Sequence, residues 1–246
     1  MNRKSKKLHG RIYIFFPEDA KTVKNNWCTE YYYLRNLLNE RVLQKYGSYI
    51  KFYPRKKEKE FLDNIKLTLK KVRQNPNCYE HPNLFYIIRD IDYTTNGNYK
   101  KKIIDMFKKY FNYINNTKLN FNIILSSRAW ETWICMYDHA YSGQGNAIGI
   151  INKCPIFSGR YEKKESWYTK NSSLYDVKKI NTAYKNCQNE RNNLFKVYTT
   201  ILNPNINFQN NIKSEQDIQT KVNALCKVKT FSYVDILLHD IYQYIK

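Results

Sequence analysis

The sequence predicts an α/β protein with a parallel sheet flanked by helices, followed by a mainly helical C-terminal extension. Short apolar runs of five or six residues, rich in β-branched and aromatic side chains, alternate with longer segments whose apolar residues recur at helical spacing. Such alternation argues for parallel strands that are joined by helical crossovers. It continues over about the first 140 residues, so we expect an α/β domain at residues 1–145 and the extension at residues 146–246.

Four strands are expected, because each apolar run is followed by residues that terminate extended structure. Pro17 follows the first run and Pro54 the second, whereas Gly97 marks the loop after the third and Ser126 closes the fourth. The predicted strands are Arg11–Phe16, Ser48–Tyr53, Leu84–Arg89 and Phe121–Leu125.

Helices are expected where apolar residues lie three or four positions apart. Thr29 is a candidate N-cap for the first helix, and Gly47 is a candidate terminator. The glycine-rich segment Ser142–Gly149 is expected to be a flexible connection. The predicted helices are Glu30–Tyr46, Glu60–Arg73, Tyr99–Ile114, Arg128–Tyr141, Asp176–Phe195 and Tyr233–Lys246.

The chain is strongly basic, with 42 Lys and Arg residues against 21 Asp and Glu residues and a net charge of +21. A folded protein with such a charge is expected to meet a polyanion, with nucleic acid as the first candidate and an anionic membrane surface as the second. The richness in Lys, Asn, Tyr and Ile is also what an AT-rich genome produces, and that alternative weakens the argument from charge.

The chain is expected to be cytoplasmic, with no membrane span. No apolar run approaches the roughly 18 residues of a transmembrane helix. The basic N-terminal residues are not followed by the apolar segment of a secretory signal. The six cysteines form no C-x-x-C pair and are expected to be free, mostly buried thiols.

Acidic residues follow three of the predicted strands. Asp90 and Asp92 come at the end of the third strand, where alternate residues share a face, and two carboxylates held close need a cation between them. Glu18 follows the first strand, Glu131 begins the helix after the fourth, and Glu30 begins the helix after the first. Ligands gather at the carboxyl ends of parallel strands, so we expect Glu18, Asp90 and Asp92 to hold Mg²⁺ or Mn²⁺. Glu131 and Glu30 would complete the coordination shell of the metal or transfer protons. An acidic residue at the start of a helix is, however, also favoured by the helix dipole alone.

The segment from Asp90 to Thr94 can be interpreted differently, because it reads D-x-D-x-T. This is the nucleophile motif of haloacid-dehalogenase phosphatases, in which the first aspartate attacks phosphorus. Two observations argue against it. The motif lies on the third strand rather than near the start of the domain, and no acidic pair follows downstream to complete a Mg²⁺ site.

Basic residues interleaved with aromatic ones mark a candidate nucleic-acid interface in the segment Arg160–Tyr168. Lysine and arginine can contact phosphates while aromatic rings stack on bases. Other lysine-rich stretches are explained equally well as solvated helix faces. The candidate nucleic-acid-binding residues are Arg160, Lys163, Lys164, Trp167, Lys101 and Arg89.

The arrangement of Glu18, Asp90 and Asp92 resembles the metal site of Toprim domains, and the flanking segments resemble RloB-like Toprim proteins. The resemblance covers nearly the whole chain at low identity. It departs from the family at Asp19, where the family has Gly, and at Ser127-Arg128, where it has Asn-Pro. The segments that carry it are FFPED followed by CTEYYYLRNLL, IILSSRAWETWICMYDH, GRYEKKESWY and TFSYVDILLHDIYQYI.

The resemblance implies a Toprim-like fold and a metal-dependent nuclease that cleaves DNA or RNA, tRNA included. It also implies a role as effector in bacterial phage defence or abortive infection. The sequence contains no G-x-x-x-x-G-K-[ST] motif, so a separate ATPase subunit of the RloA/OLD-like type would have to supply nucleotide hydrolysis. The alternative is a non-catalytic module with a degenerate Toprim core that binds nucleic acid or a protein partner. Metal binding and chelator-sensitive cleavage would separate the two.

Overall fold

A five-stranded mixed sheet flanked by helices forms the centre of the computed structural model. The strands are β1 (Ile12–Phe15), β2 (Ile50–Tyr53), β3 (Leu84–Ile91), β4 (Asn120–Ser127) and β5 (Phe231–Ser232). The structure describes residues 12–16, 28–38, 50–53, 63, 66–67, 70, 84–91, 100–101, 104–105, 107–108, 120–127, 130–141, 143, 145–196, 212–228 and 231–245.

The strand order is β2-β1-β3-β4-β5. Strands β1 to β4 are all parallel, which confirms the expected parallel α/β arrangement. Strand β5 is antiparallel to β4 and comes from the C-terminal extension, so this part of the chain, expected to be mainly helical, also adds one short strand to the sheet. The strand was not predicted, because only two residues pair, too few to give a strand pattern in the sequence.

Aromatic side chains hold the parallel strands together. Tyr13 of β1 stacks on Phe85 of β3 with ring centroids 4.8 Å apart, and Phe15 stacks on Tyr53 of β2 at 4.4 Å. All four residues of β1 are buried, as expected for a strand covered on both faces. The continuous apolar runs in the sequence therefore reflect burial on both sides of the sheet.

Strands β3 and β4 continue beyond their predicted ends. In their register Asp90 lies opposite Ser126, and Ile91 lies opposite Ser127. Ser126 and Ser127 also pair with β5, so the end of β4 has a partner on both sides. Asp90 was expected just after its strand and instead lies within it, because pairing with remote segments prolongs both strands.

The helices are α1 (Thr29–Leu38), α2 (Glu131–Cys135), α3 (Ala147–Lys153), α4 (Glu165–Lys170), α5 (Val177–Leu194), α6 (Glu215–Lys227) and α7 (Val234–Ile245), with a short 3₁₀ helix at Ser172–Tyr175. The start of α1 and the full extents of α5 and α7 confirm the predictions for these helices. Residues 39–46 of the predicted helix Glu30–Tyr46 and its candidate terminator Gly47 lie outside the described residues. Helices α3, α4 and α6 were not expected. None of the described helices is long and apolar enough to cross a bilayer.

Helix α2 is much shorter than the predicted helix Arg128–Tyr141. After Cys135 the chain tightens, because the backbone N–H groups of Met136, Tyr137 and Asp138 bond to carbonyls only three residues back. The predicted flexible segment Ser142–Gly149 instead leads into α3, whose start is capped by the Asn146 side chain accepting from the Ile148 N–H at 3.0 Å.

Two predicted helices lie largely outside the described residues. In the predicted helix Glu60–Arg73, the described residues Asp63, Lys66, Leu67 and Lys70 have helical backbone, and in Tyr99–Ile114 so do Lys100, Lys101, Ile104, Asp105, Phe107 and Lys108. The cysteines Cys28, Cys135, Cys154 and Cys187 are buried free thiols, as expected.

A buried ion pair joins α5 to the start of α7, directly after β5. The Arg191 guanidinium donates to both carboxylate oxygens of Asp235, at 2.5 and 2.6 Å, and also to the Ser232 carbonyl. Both side chains are 1% exposed, and the guanidinium lies over the Tyr233 ring at 5.1 Å from its centroid. The pair therefore fixes α5 against the segment that forms β5 and begins α7.

We expect Asp235→Asn to lower the free energy of unfolding by about 3–5 kcal/mol, because it leaves the Arg191 charge buried without its counter-charge. Urea unfolding would measure the change. The control is Glu165→Gln, which breaks the exposed pair between Arg35 and Glu165 and should alter stability very little. Equal stability of Asp235→Asn and wild type would show that this pair does not stabilise the packing of α5 on α7.

Candidate active site

Three carboxylates reach the carboxyl edge of the parallel sheet from different elements. Asp90 lies half-buried near the end of β3. Glu131 begins α2, four residues after β4 ends, and Glu30 lies in the first turn of α1, which follows β1. Parallel pairing brings the ends of β1, β3 and β4 to one edge, so the elements that follow them start close together.

Glu131 is buried, with 3% of the residue exposed, and it has two donors. The Tyr161 hydroxyl donates to its Oε1 at 2.9 Å, and the Lys163 Nζ lies 2.8 Å from the same oxygen. The Tyr161 hydroxyl also lies 3.1 Å from the Tyr168 hydroxyl. These four residues, the Glu131 network, satisfy a buried carboxylate with one cation and a chain of phenols.

The charges around Lys163 show that Asp90 and Glu30 belong to the same neighbourhood. Burial acts to lower the pKa of Lys163, but the charge and hydrogen bond of Glu131 outweigh it, and the carboxylates of Asp90 and Glu30 add to the rise. The pKa of Lys163 is therefore above its ordinary value, and the ammonium is charged at neutral pH.

The two tyrosines of the network are neutral hydrogen-bond donors. Burial raises the pKa of Tyr161 and of Tyr168, and the nearby negative charge of Glu131 raises both further. The Tyr168 phenol also experiences the charge of Glu30. Both phenols keep their protons at any physiological pH, so they can orient Glu131 without adding charge.

Buried phenols also set the positions of the helices that carry these acids. The Tyr33 hydroxyl of α1 lies 2.6 Å from the Tyr137 hydroxyl, just after α2, and the Tyr137 hydroxyl donates to the Leu174 carbonyl at 2.8 Å. This chain of contacts connects α1, α2 and the 3₁₀ helix. The relative placement of Glu30 and Glu131 is thus fixed by tertiary contacts.

Glu30 is 6% exposed, and its Oε2 accepts a hydrogen bond from the Thr29 hydroxyl at 2.9 Å. Thr29 was expected to cap the helix with this hydroxyl. In the structure the hydroxyl bonds the neighbouring carboxylate instead, and α1 begins at Thr29 itself. Thr29 therefore helps to accommodate the buried acid.

Of the residues predicted for the site, Glu131 and Lys163 are in direct contact, and the charges of Asp90 and Glu30 also act on Lys163. The other two predicted metal ligands, Glu18 and Asp92, lie outside the described residues. Within the described ranges, no group of three or more His, Cys, Asp and Glu side chains lies close enough to hold a metal ion.

The predicted nucleic-acid-binding residues fall into different environments. Arg160 and Lys101 are exposed, and Arg89 is half-buried on β3 directly before Asp90. Lys164 is exposed and lies 3.0 Å from Glu162. Trp167 is only 4% exposed and packs edge-on against Tyr161, with centroids 4.7 Å apart. Its ring is part of the core and presents no face for base stacking, which corrects the role expected from the sequence.

The sequence pattern also gave Tyr161 and Tyr168 as surface aromatics for stacking. It missed the hydrogen bond of Tyr161 to the buried Glu131 and the bond between the two phenols. Tyr161 and Lys163 are two residues apart, so both can face the same partner in an extended segment. A buried phenol needs a hydrogen-bond partner. That requirement is the signal that could have connected them to an acidic residue, although not to Glu131 in particular.

Compared with family models, with curated proteins and with solved structures, the chain gives no significant match. The likeness to RloB-like Toprim proteins stays a prediction that rests on the motifs.

We expect Lys163→Met to lower the free energy of unfolding by about 1–2 kcal/mol, because the buried Glu131 keeps only a neutral donor. The control is Lys108→Met, since Lys108 also pairs with a glutamate, Glu215, at 2.9 Å, but both partners are exposed. This control should leave the melting temperature unchanged. Chemical denaturation of both variants and wild type would measure the difference.

The difference in stability between wild type and Lys163→Met has a defined pH dependence. The folded-state pKa of Lys163 is raised above its ordinary value of 10.5, so its stabilisation is complete below that value and is lost as the pH rises through the folded-state pKa. The stability difference between wild type and Lys163→Met should therefore stay constant from about pH 7 to about pH 9. A difference that vanishes within this window would contradict the ion pair.

Proposed function

We propose that the chain is a metal-dependent nuclease with a Toprim-like site that cleaves phosphodiester bonds of DNA or RNA. The observation that carries the proposal is the buried Glu131 paired with Lys163 at the carboxyl edge of the sheet, with the charges of Asp90 and Glu30 acting on the same ammonium. These acids come from segments far apart in sequence. Placing buried and half-buried acids near one cation is costly for folding, and such arrangements are typical of functional sites.

Mg²⁺ or Mn²⁺ would be held by Asp90 together with Glu18 and Asp92. The donor chemistry fits, because Asp90 offers hard carboxylate oxygens from a half-buried position at the strand edge. When bound, such an ion polarises the scissile phosphate and activates water. Glu131 is already engaged by Lys163 and Tyr161, so Glu30 is the better candidate for handling a proton.

Basic side chains around the site would hold the nucleic acid. Arg160 and Lys101 are exposed, and Arg89 precedes Asp90 on β3. The net charge of +21 would attract a polyanion to this face and others. As effector of a phage-defence system, the protein would act with a separate ATPase subunit of the RloA/OLD-like type, since its sequence has no phosphate-binding loop.

A second candidate is a non-catalytic module that binds nucleic acid through a degenerate Toprim core. The ion pair of Lys163 with Glu131 favours it, because this part of the cluster is neutralised by the chain itself. The two functions differ in one measurable property, which is metal-dependent cleavage.

We expect Asp90→Ala to reduce cleavage to about one hundredth of the wild-type rate or less, because the variant lacks a hard anionic metal ligand. The assay uses a panel of duplex DNA, single-stranded DNA, RNA and tRNA with added Mg²⁺, and with a chelator as the negative condition. Nucleic-acid affinity should be unchanged or slightly tighter, since a carboxylate that faces the phosphate is gone.

The control is Asp105→Ala, which removes the same charge from an exposed residue with helical backbone. It should cleave at the wild-type rate. An Asp90→Ala protein that melts like wild type and still cleaves at full rate would remove Asp90 from the catalytic site and favour the binding module.

We expect salt to weaken nucleic-acid binding steeply. If several phosphates are contacted, affinity should fall by at least tenfold between about 50 mM and about 200 mM salt, because each contact releases counterions. Fluorescence anisotropy with a labelled oligonucleotide would measure this, and the uncharged methylphosphonate analogue is the matched control. Equal affinity for both oligonucleotides at all salt concentrations would rule out an electrostatic interface.

A further inference from the structure

Lys163 and Lys108 form ion pairs of nearly the same length but in different environments. Lys163 lies 2.8 Å from Glu131, whose side chain is 4% exposed, whereas Lys108 lies 2.9 Å from Glu215, whose side chain is 62% exposed. An exposed pair exchanges freely with water and fixes neither partner. A buried carboxylate cannot do so, and it therefore holds its lysine in one place.

The anchor of Lys163 is itself rigid. Glu131 is the first residue of α2, directly after the fully buried Trp130, and the Tyr161 hydroxyl donates to the same Oε1 that contacts Lys163. Tyr161 is in turn bonded to Tyr168, which has no exposed surface. The ammonium is thus positioned by a chain of buried groups rather than by its own flexible stem.

Lys163 also remains accessible, since 58% of its side chain is exposed. An ammonium has three donors, and the Glu131 contact uses one of them. The remaining donors can bind an anionic oxygen that arrives from solvent. The negative charges of the Asp90 and Glu30 carboxylates also act on this ammonium.

We propose that Lys163 is a resident cation of the site, a catalytic residue that contacts the phosphate being cleaved, while Glu131 and Tyr161 act as positioning residues. This inference rests on the proposed function. Glu131, expected from the sequence to complete a metal shell or move protons, would instead hold the lysine. A fixed positive charge beside the phosphate stabilises the negative charge that develops on its oxygens during cleavage.

The same charge must oppose a divalent ion, because both cations share the field of Asp90 and Glu30. Removing Lys163 should therefore strengthen metal binding even as it slows cleavage. A residue with a purely structural role would weaken both properties together. This opposite response is the signature of a resident cation.

The experiment compares wild type, Lys163→Met, Lys163→Arg and the control Lys108→Met as full-length chains. Calorimetric titration with Mn²⁺ should show binding that is tighter by about threefold or more in Lys163→Met and unchanged in the control. In Lys163→Met, kcat for the cleaved substrate should fall about 100-fold with little change in KM. Lys163→Arg keeps the charge, so it should bind Mn²⁺ like wild type and recover part of kcat.

Two further variants keep the test decisive if Lys163→Met folds poorly. The double variant Glu131→Gln/Lys163→Met removes both charges of the pair, so it should fold and still show the loss in kcat. Tyr161→Phe removes one donor from Glu131 and should lower kcat by about three- to tenfold with KM unchanged, as expected for a positioning residue.

The outcomes separate the inference from the proposed function. If wild type cleaves and Lys163→Met, or the double variant, cleaves at the same rate, the inference is overturned while the nuclease stands. If wild type cleaves no member of the substrate panel, the proposed function fails, and the catalytic role of Lys163 fails with it. Unchanged Mn²⁺ affinity in Lys163→Met, or no Mn²⁺ binding by wild type, overturns the inference.

Discussion

The parallel pairing of β3 with β4 is the constraint on which the candidate site depends. It places Asp90 opposite Ser126 and directs the chain after β4 into α2, where Glu131 is the first helical residue. Strand β5 continues this pairing on the other side of β4, with the Ser126 and Ser232 hydroxyls 3.1 Å apart. Without that outer strand, the end of β4 would lose a backbone partner, and the edge that presents the acids would be less defined.

The C-terminal extension is part of the site as well as a cover for the sheet. It supplies Tyr161, Lys163 and Tyr168, the residues that surround Glu131. Within the extension, the buried pair of Arg191 with Asp235 fixes α5 against the start of α7, directly after the strand β5 that pairs with β4. An activity that needs Lys163 would therefore also depend on contacts far from the acids, because Lys163 belongs to the extension and this pair stabilises the packing of the extension.

Among the residues that the structure describes, two buried carboxylates accept cations, and they serve different purposes. The Asp235 pair with Arg191 is 1% exposed on both sides and has two hydrogen bonds, which suits a permanent structural contact. The Glu131 pair has a buried acid and an accessible lysine, so one face stays open to an anion. When both partners of an ion pair are buried, the pair stabilises the fold. When only the carboxylate is buried, as for Glu131, its lysine is held in position but stays accessible to a ligand.

The sequence by itself determined the α/β class, the four parallel strands and the helices α5 and α7, because apolar periodicity is a local signal. It also selected Asp90, Glu30, Glu131 and Lys163 as candidates, since residue type and position along the chain do not require knowledge of contacts. Only the tertiary structure decided that Lys163 pairs with Glu131 and that Trp167 belongs to the core. The pairing of β5 with β4 was also determined only by the tertiary structure. The two residues of β5 are too few to show a periodicity, and β4 lies about 100 residues away in the chain.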